Sequence, residues 1–423
     1  MSALVTQPAR PAQPQAQQQP NGPSGGGFAS ARRITVISIT AVVVCLLVAI
    51  GGFIAAQRQA AGMDRAVQNT GRVLDVMNLG IALLEADGAA TNAFLVGGLE
   101  PVERRAVYDE SIAEAATLLA GLAEGAESDS ERLAALNVNL VTYTGLVEAA
   151  RVNNRLGFPV GSAYLDQAST LMREVMLKQV DGLLETAADE AAGDFSASNW
   201  VFGLLAVLAV AVVALVWCQY QLASITKRRL NRGLVLASAL LIIAFITTQV
   251  AAVGAANAVN DARTEVYRPT LAVAQATVLA SQARSLESFT LIKRGSGQAY
   301  EEEFQELTAE AAQVLPASHH QLAPLLSDWV SGHNEIRALD DAGDWDGAVE
   351  LAVSTAPDSP SVAFEVFIGQ ATDAIVEESD TLSRTLADGA WSASLTAWSL
   401  AVLGLLAVVV GWRGLAVRRE EYR

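Results

Sequence analysis

Hydrophobic residues follow two patterns along this chain. Four stretches, 34–56, 200–222, 233–259 and 391–412, carry no Asp, Glu, Lys or Arg. Each reaches about 20 residues or more, enough for a helix to cross a hydrocarbon layer roughly 30 Å thick. Between them apolar residues recur in steps of three and four, as on a helix that buries one face. Val67, Thr70, Leu74, Met77, Ile81, Leu84, Gly88, Thr91 and Leu95 form such a seam. It predicts a helix running on from the first apolar stretch and stopping at Val96-Gly97-Gly98-Leu99-Glu100-Pro101. A second helix is expected to about Leu122, and a third from a Ser130 cap through Leu133, Leu136, Leu140, Tyr143 and Val147. A fourth should run from Ser162 into Trp200. The later half repeats the plan: a helix ending at Arg294-Gly295-Ser296-Gly297, one over 298–314, one holding Leu322, Leu326, Trp329 and Ile336, and one from Pro360. Pro269 should kink the first of these or end a piece of it, and an extra short helix is expected over 346–354.

The expected fold class is therefore all-α: an integral membrane protein with four transmembrane helices and two tandem extracytoplasmic four-helix bundles. Residues 1–31, rich in Pro, Gln, Gly and Ala, form a disordered cytoplasmic tail in this reading. Spans are expected at 34–56, 200–222, 234–256 and 391–412, bundles at 57–198 and 257–390, a basic loop at 223–233 and a basic tail at 413–423. The halves also match as text. Ala113-Glu-Ala-Ala-Thr-Leu-Leu119 meets Ala309-Glu-Ala-Ala-Gln-Val-Leu315 at an offset of 196, and Ser196-Ala-Ser198 meets Ser392-Ala-Ser394 at the same offset. Leu84 and Phe94 meet Leu279 and Phe289 at 195. An internal duplication is implied, with the basic loop as its seam.

Charge adds an orientation. The segment 57–198 holds 21 acidic and 10 basic residues and 257–390 holds 22 and 7, whereas the remaining pieces hold 11 basic and 2 acidic. The positive-inside rule then places both termini and the central loop in the cytoplasm of a plasma-membrane protein, with the acidic segments outside. Cys45 and Cys218 both fall in apolar stretches, so the acidic segments must be stable without disulfides.

Candidate chemistry is sparse. His319, His320 and His333 are the only histidines; on a helix they point apart, and they read as solvated surface residues rather than zinc ligands. Asp340-Asp341-Ala342-Gly343-Asp344-Trp345-Asp346-Gly347 lacks acids where a calcium loop needs them and reads as a turn that caps helices. Glu301-Glu302-Glu303 reads as the acidic first turn of a helix. The spans carry no ionisable group of the kind transporters place at mid-membrane. The expectation is a protein that is not an enzyme, with no cofactor, no metal and no nucleic-acid partner.

Each acidic segment resembles the four-helix-bundle sensor domains of chemoreceptors, Ile336 to Ala348 looking like the end of a third bundle helix there. The whole arrangement resembles the actinobacterial GlnX-type four-span membrane proteins. Leu84-Glu-Ala-Asp-Gly-Ala-Ala-Thr-Asn-Ala-Phe-Leu95, Gly157-Phe-Pro-Val-Gly-Ser-Ala-Tyr-Leu165 and Gln282-Ala-Arg-Ser-Leu-Glu-Ser288 carry that likeness. The resemblance implies a relay of amino-acid availability from an extracytoplasmic solute-binding lipoprotein to a cytoplasmic serine/threonine kinase. A structural membrane scaffold is the alternative reading. Candidate ligand contacts are Arg155, Arg173, Arg284, Glu287 and Arg337, which suit a carboxylate; simple ion pairing, such as Arg284 with Glu287, or solvated arginine is the favoured account of them. Leu99, Phe158, Arg294 and Trp345 form a candidate partner-facing tip, or fold back to plug the bundle ends. Lys227, Arg228, Arg229, Arg232, Arg418 and Arg419 are the candidate cytoplasmic output, or else topology determinants that contact the lipid bilayer.

Overall fold

The computed structural model describes residues 26–97, 100–124, 128–196, 200–226 and 231–420. Among these the chain is all helix, with no strand. Its elements are α1 (Gly26–Val96), α2 (Val102–Ala123), α3 (Ser130–Arg155), α4 (Val160–Leu171), α5 (Leu177–Ser196), α6 (Trp200–Thr226), α7 (Arg232–Asp261), α8 (Arg268–Ile292), α9 (Gln298–Val314), α10 (Leu322–Asp341), α11 (Trp345–Ala352) and α12 (Pro360–Glu420). Among the described residues four helices are long and apolar enough to cross a membrane, in segments that overlap the four apolar stretches of the sequence. The chain divides into two units.

The first unit comprises residues 1–50, 207–245 and 400–423. Its buried positions keep a three-and-four rhythm: Ala41, Cys45 and Val48 on α1, Leu208, Ala211, Leu215 and Cys218 on α6, and Leu234, Ala237, Leu241 and Ala244 on α7. The outward face is equally apolar, with Leu47, Val213, Ile243 and Leu405 exposed, which fits helices long and apolar enough to cross a membrane. Glycines set the closest approach. A Cβ on Gly233 would lie 2.5 Å from Gly414 Cα, so α7 and α12 touch backbone to backbone. Beside that contact Asn231 Nδ2 donates to the Gly414 carbonyl at 3.0 Å, and its Oδ1 accepts from Gly233 N at 3.0 Å. At the other end of the sequence α1 starts at Gly26, inside the segment 1–31 expected to lack structure. Nothing between the glycine pair and Ile34 breaks a helix, so the span's helix extends backwards.

The second unit comprises residues 51–206 and 246–399. Here α1 reaches Val96, and Gly97, at φ 66°, turns the chain out of it. One core forms around Leu79, Leu83, Tyr108, Leu136, Tyr143 and Met172. A second joins Ala276, Ala280, Phe304, Trp329 and Phe367 to Leu74, Met77 and Ile81 of α1. The seam read from α1 therefore faces the later helices, while Val76, Leu79, Leu83, Ala86 and Ala90 face the earlier ones. From Val73 to Leu95 nearly every residue of α1 is buried or half-buried, and α8 is enclosed in the same way. These two helices are the centre of the unit.

Two local expectations are corrected, and the extra short helix is found within two residues of its expected bounds. Asp129, not Ser130, occupies the position that caps α3, and its carboxylate is held by Arg72 at 2.9 Å and Arg132 at 2.9 Å. Pro269 stands at the start of α8 and does not end the rod; a π turn over Ala262–Tyr267 widens the hydrogen-bond register where proline has no N–H to give. A second π turn, Met172–Met176, separates α4 from α5. The extra short helix lies at Trp345–Ala352, started by Asp344, whose side chain accepts from Gly347 N at 3.0 Å.

Candidate functional site

The two enclosed helices carry charge where the cores meet. Asp87 of α1 is completely buried. Its Oδ1 accepts from Ser169 Oγ of the α4 helix at 2.7 Å and from Tyr143 OH of α3 at 3.2 Å. Among the described residues its Oδ2 has no hydrogen-bond partner, and neither has the buried Nη1 of Arg173. Burial pushes the Asp87 carboxyl above its ordinary pKa; the Arg173 guanidinium and the hydroxyls of Ser169, Ser285 and Tyr143 pull the other way and lose. Through Tyr143 and Ser169 this carboxylate of α1 is tied to α3 and α4. Gly88 lets α8 come close: a Cβ there would stand 3.3 Å from Arg284 Cγ.

On α8 the charge is denser. Arg284 pairs with Glu287, donates to Ser361 Oγ of α12 at 2.6 Å and lies 5.2 Å from the centre of the Phe364 ring. Glu287 is 1 % exposed, and its Oε2 takes the Trp329 indole N–H at 3.1 Å and His333 Nδ1 at 3.2 Å. His333 Nε2 reaches Glu301 Oε2 at 2.9 Å, and its ring stacks on Phe304 at 3.7 Å between centres. Both ring nitrogens face carboxylates, so both must donate, and the geometry calls for imidazolium. Burial opposes that charge, but the hydrogen bonds and charges of Glu287 and Glu301 outweigh it and raise the pKa of His333. Burial likewise pushes Glu287 and Glu301 up; Arg284 and His333 acting on the first, and His333 with Gln305 and Arg337 on the second, bring both below the usual range. The result is a chain of alternating charge, Arg284–Glu287–His333–Glu301–Arg337, linking α8, α9 and α10.

Three of the five candidate ligand residues belong to this chain: Arg284, Glu287 and Arg337. For Arg284 and Glu287 the ion-pair alternative is the one realised, and Arg337 also holds Asp340 at 2.6 Å and Asp341 at 2.7 Å. Arg173 sits beside Asp87 and over Phe289, its guanidinium carbon 5.6 Å from the ring centre. Arg155 is not brought to the cluster; it is exposed at the end of α3. Of the tip residues, Phe158 is 54 % exposed. Trp345 is instead half-buried as a plug, its indole N–H donating to the Leu291 carbonyl at 3.0 Å while Arg294 stacks on its ring at 3.9 Å. Leu99, Lys227, Arg228 and Arg229 lie outside the described residues, as do the side chains of Arg418 and Arg419, whose backbone belongs to α12; Arg232 is exposed at the start of α7.

The histidine expectation is overturned for two of the three. His333 is fully enclosed, and His319 is buried with Nε2 3.3 Å from Glu378; His320 is exposed. Glu301 is likewise a buried partner and not merely a first-turn acid. A signal existed: Leu322, Leu326, Trp329 and Ile336 set a three-and-four rhythm on which position 333 falls. Asp87 similarly falls on the stripe of Leu83 and Ala90. Among the described residues no group of three or more His, Cys, Asp or Glu is placed to hold a metal ion. No curated protein is matched by the chain. Residues 62–196, from within α1 through Asp87 to the end of α5, match the family model of the actinobacterial sensor domain, and that match supports a sensor role.

Proposed function

We propose that this protein is a non-enzymatic transmembrane signal relay. Two helical bundles, products of an internal duplication, face outward and report amino-acid status through a solute-binding lipoprotein; the output is a cytoplasmic serine/threonine kinase that meets the basic loop and tail. The family match over 62–196 supports the sensor part. The observation that carries the reading is the pair of enclosed helices α1 and α8, with Asp87 buried on the first and the ion pair of Arg284 and Glu287 buried on the second. A rod enclosed on all sides can slide or rotate only if its neighbours repack, and buried charges permit few such arrangements, because each must keep its partner. α1 and α12 run unbroken for 71 and 61 residues, each through an apolar stretch, which suits a rod that carries displacement along its axis. Bundles and loop would meet partners at Phe158 and at Arg232 respectively.

Affinity purification of the full chain from membranes, under high and low amino-acid supply, tests this. A kinase and a lipoprotein should co-purify in a supply-dependent way, and deleting the protein should make the kinase insensitive to supply. Kinase activity indifferent to deletion would remove the relay and leave a membrane scaffold.

A further inference from the structure

The helix α3 has two apolar faces. Leu133, Leu136, Leu140, Tyr143, Val147 and Ala150 are buried in the core. On the opposite side Ala134, Val138 and Val141 recur eleven residues on as Gly145, Ala149 and Val152, and Leu156, which caps the helix, begins a third round. At about 3.7 residues per turn such a repeat stays on one side of a helix along its whole length, here about 33 Å. Val138, Val141, Val152 and Leu156 are 55–68 % exposed. A Cβ on Gly145 would meet nothing within 4 Å. A contiguous exposed apolar strip of this length marks an interaction surface. The outward side of α10, the third helix of the later half, is polar by contrast, with Ser327, Asp328, Ser331, Asn334 and Glu335 exposed.

We infer that this face is where two copies of the chain pair, α3 against α3. Charge decides the occupant. The segment 57–198 holds 21 acidic and 10 basic residues, and α2 exposes Glu103, Asp109, Glu110 and Glu114. A basic partner is drawn to such acids and not to an uncharged strip. A second copy is repelled by them, and α3, with two acids and three basic residues, offers it a side free of that repulsion. The borders of the strip agree. Glu148 is held by Arg105 at 2.8 Å and Arg151 by Glu100 at 3.1 Å, so the charged border is the α2 side, where Arg155 follows Glu148 by seven residues. The other border faces α5, where Asn139 Nδ2 donates to Gln179 Oε1 at 3.0 Å; it presents Ala135, Leu146 and Asn153 and no charge. Two copies inserted in one membrane with the same topology are related by a two-fold axis along the membrane normal, which sets their α3 helices side by side in parallel. Each residue of the strip then meets its own counterpart, valine on valine and Gly145 on Gly145. The charged border of one copy lies against the uncharged border of the other, so no charge meets a like charge. One helix pair covers less than the roughly 800 Å² per partner of complexes formed in free solution. Anchorage in one membrane offsets this, since it aligns the copies beforehand and holds them at high effective concentration. The inference rests on the four candidate spans and not on the kinase relay.

The test is disulfide trapping of the full chain in vesicles of its own membrane. Val138→Cys, Val141→Cys, Gly145→Cys and Val152→Cys are oxidised singly with copper phenanthroline, beside Thr117→Cys on α2 and Ser331→Cys on α10 as exposed controls. The parent's own thiols, Cys45 and Cys218, are buried. The strip variants should form a covalent dimer at least about tenfold faster than the controls, since a disulfide needs Cβ atoms about 3.5–4.5 Å apart. Resonance energy transfer between copies carrying donor and acceptor at their C-termini reads the strength of pairing as the vesicles are diluted with lipid. The triple variant Val138→Asn, Val141→Asn, Val152→Asn should fold, all three side chains being exposed, and should weaken pairing at least about tenfold. Strip cysteines no faster than the controls, energy transfer equal in parent and triple variant, or a covalent product with a different protein in place of the dimer would overturn the inference.

Discussion

Replacing Glu287 by Gln keeps the size of the side chain and removes its charge, which makes it a sharp probe of the buried chain. In the native protein one oxygen of Glu287 faces Arg284, while the other accepts from Trp329 at 3.1 Å and from His333 at 3.2 Å. A glutamine can satisfy only one side. Whichever way its amide is turned, its NH2 faces a donor: Arg284 on one side, Trp329 and His333 on the other. Removing one member of a buried ion pair typically costs about 3–5 kcal/mol, because the surviving charge stays out of water. The upper part of that range applies here, since Glu287 is 1 % and His333 0 % exposed and two cations lose their shared partner. Part of the loss should be relieved by His333 giving up its proton, each pKa unit being worth about 1.4 kcal/mol. The assay is reversible denaturation of the full chain in detergent, followed by far-ultraviolet circular dichroism, together with nitrogen NMR of histidine-labelled protein, in which only three histidines contribute. Expected are a stability loss of about 3–5 kcal/mol and a His333 that changes from imidazolium to neutral at pH 7. A triple change Arg284→Met, Glu287→Leu, His333→Leu should recover much of the loss, as an apolar core in place of a buried ionic group usually does. A Glu287→Gln variant within about 0.5 kcal/mol of the parent would refute the reasoning, since only a solvated carboxylate is so cheaply removed.

Further outcomes follow from the same geometry. Because the folded pKa of His333 is raised, its contribution is fully present below the ordinary value of about 6.5 and is lost as pH rises through the folded value. The pKa values of Glu287 and Glu301 are depressed, so their contribution is present above about 4.3 and lost as pH falls through the folded values. Stability measured against pH should therefore fall on both flanks, and His333→Gln should flatten the alkaline one. Asp87 has the opposite sign: its raised pKa means that folding favours the protonated form, so stability drops as pH rises through its range, and Asp87→Asn should remove that drop without harm at pH 7. Asp87→Ala, which orphans the Tyr143 and Ser169 hydroxyls, should cost about 1–3 kcal/mol by the same denaturation assay. Gly233→Val, in the first unit, must push α7 from α12 and should cost about 1–3 kcal/mol in thermal melts, whereas Gly254→Val, later on α7 with nothing within 4 Å of its Cβ, should be far milder. Gly157→Ala places a side chain at φ 71° and should lower stability by about 1 kcal/mol.

Periodicity alone determined most of the local structure. The stops at Gly97 and Gly295 sit at positive φ, where the missing Cβ costs nothing, and the third helix of the later half starts at Leu322, where its apolar rhythm begins. The apolar stretches were equally plain, because 20 uncharged residues need no partner to declare their environment. Tertiary structure decided everything that depends on which face meets which. A helix pattern gives the angle of a side chain about its own axis and not the identity of its neighbour. Thus the α1 seam of Leu74, Met77 and Ile81 looked like the core of its own bundle, yet packs against the later helices, which brings Gly88 to Arg284. His333 was misread for the same reason: a histidine is buried as imidazolium only where two carboxylates converge on it, and here they come from positions 46 and 32 residues away. Trp345 could be an exposed anchor or a plug on sequence alone, and the Leu291 carbonyl within its reach settled the matter. Helix rhythm is a local property of backbone geometry, whereas the balance of buried charges is a sum over distant segments that only the assembled fold brings together.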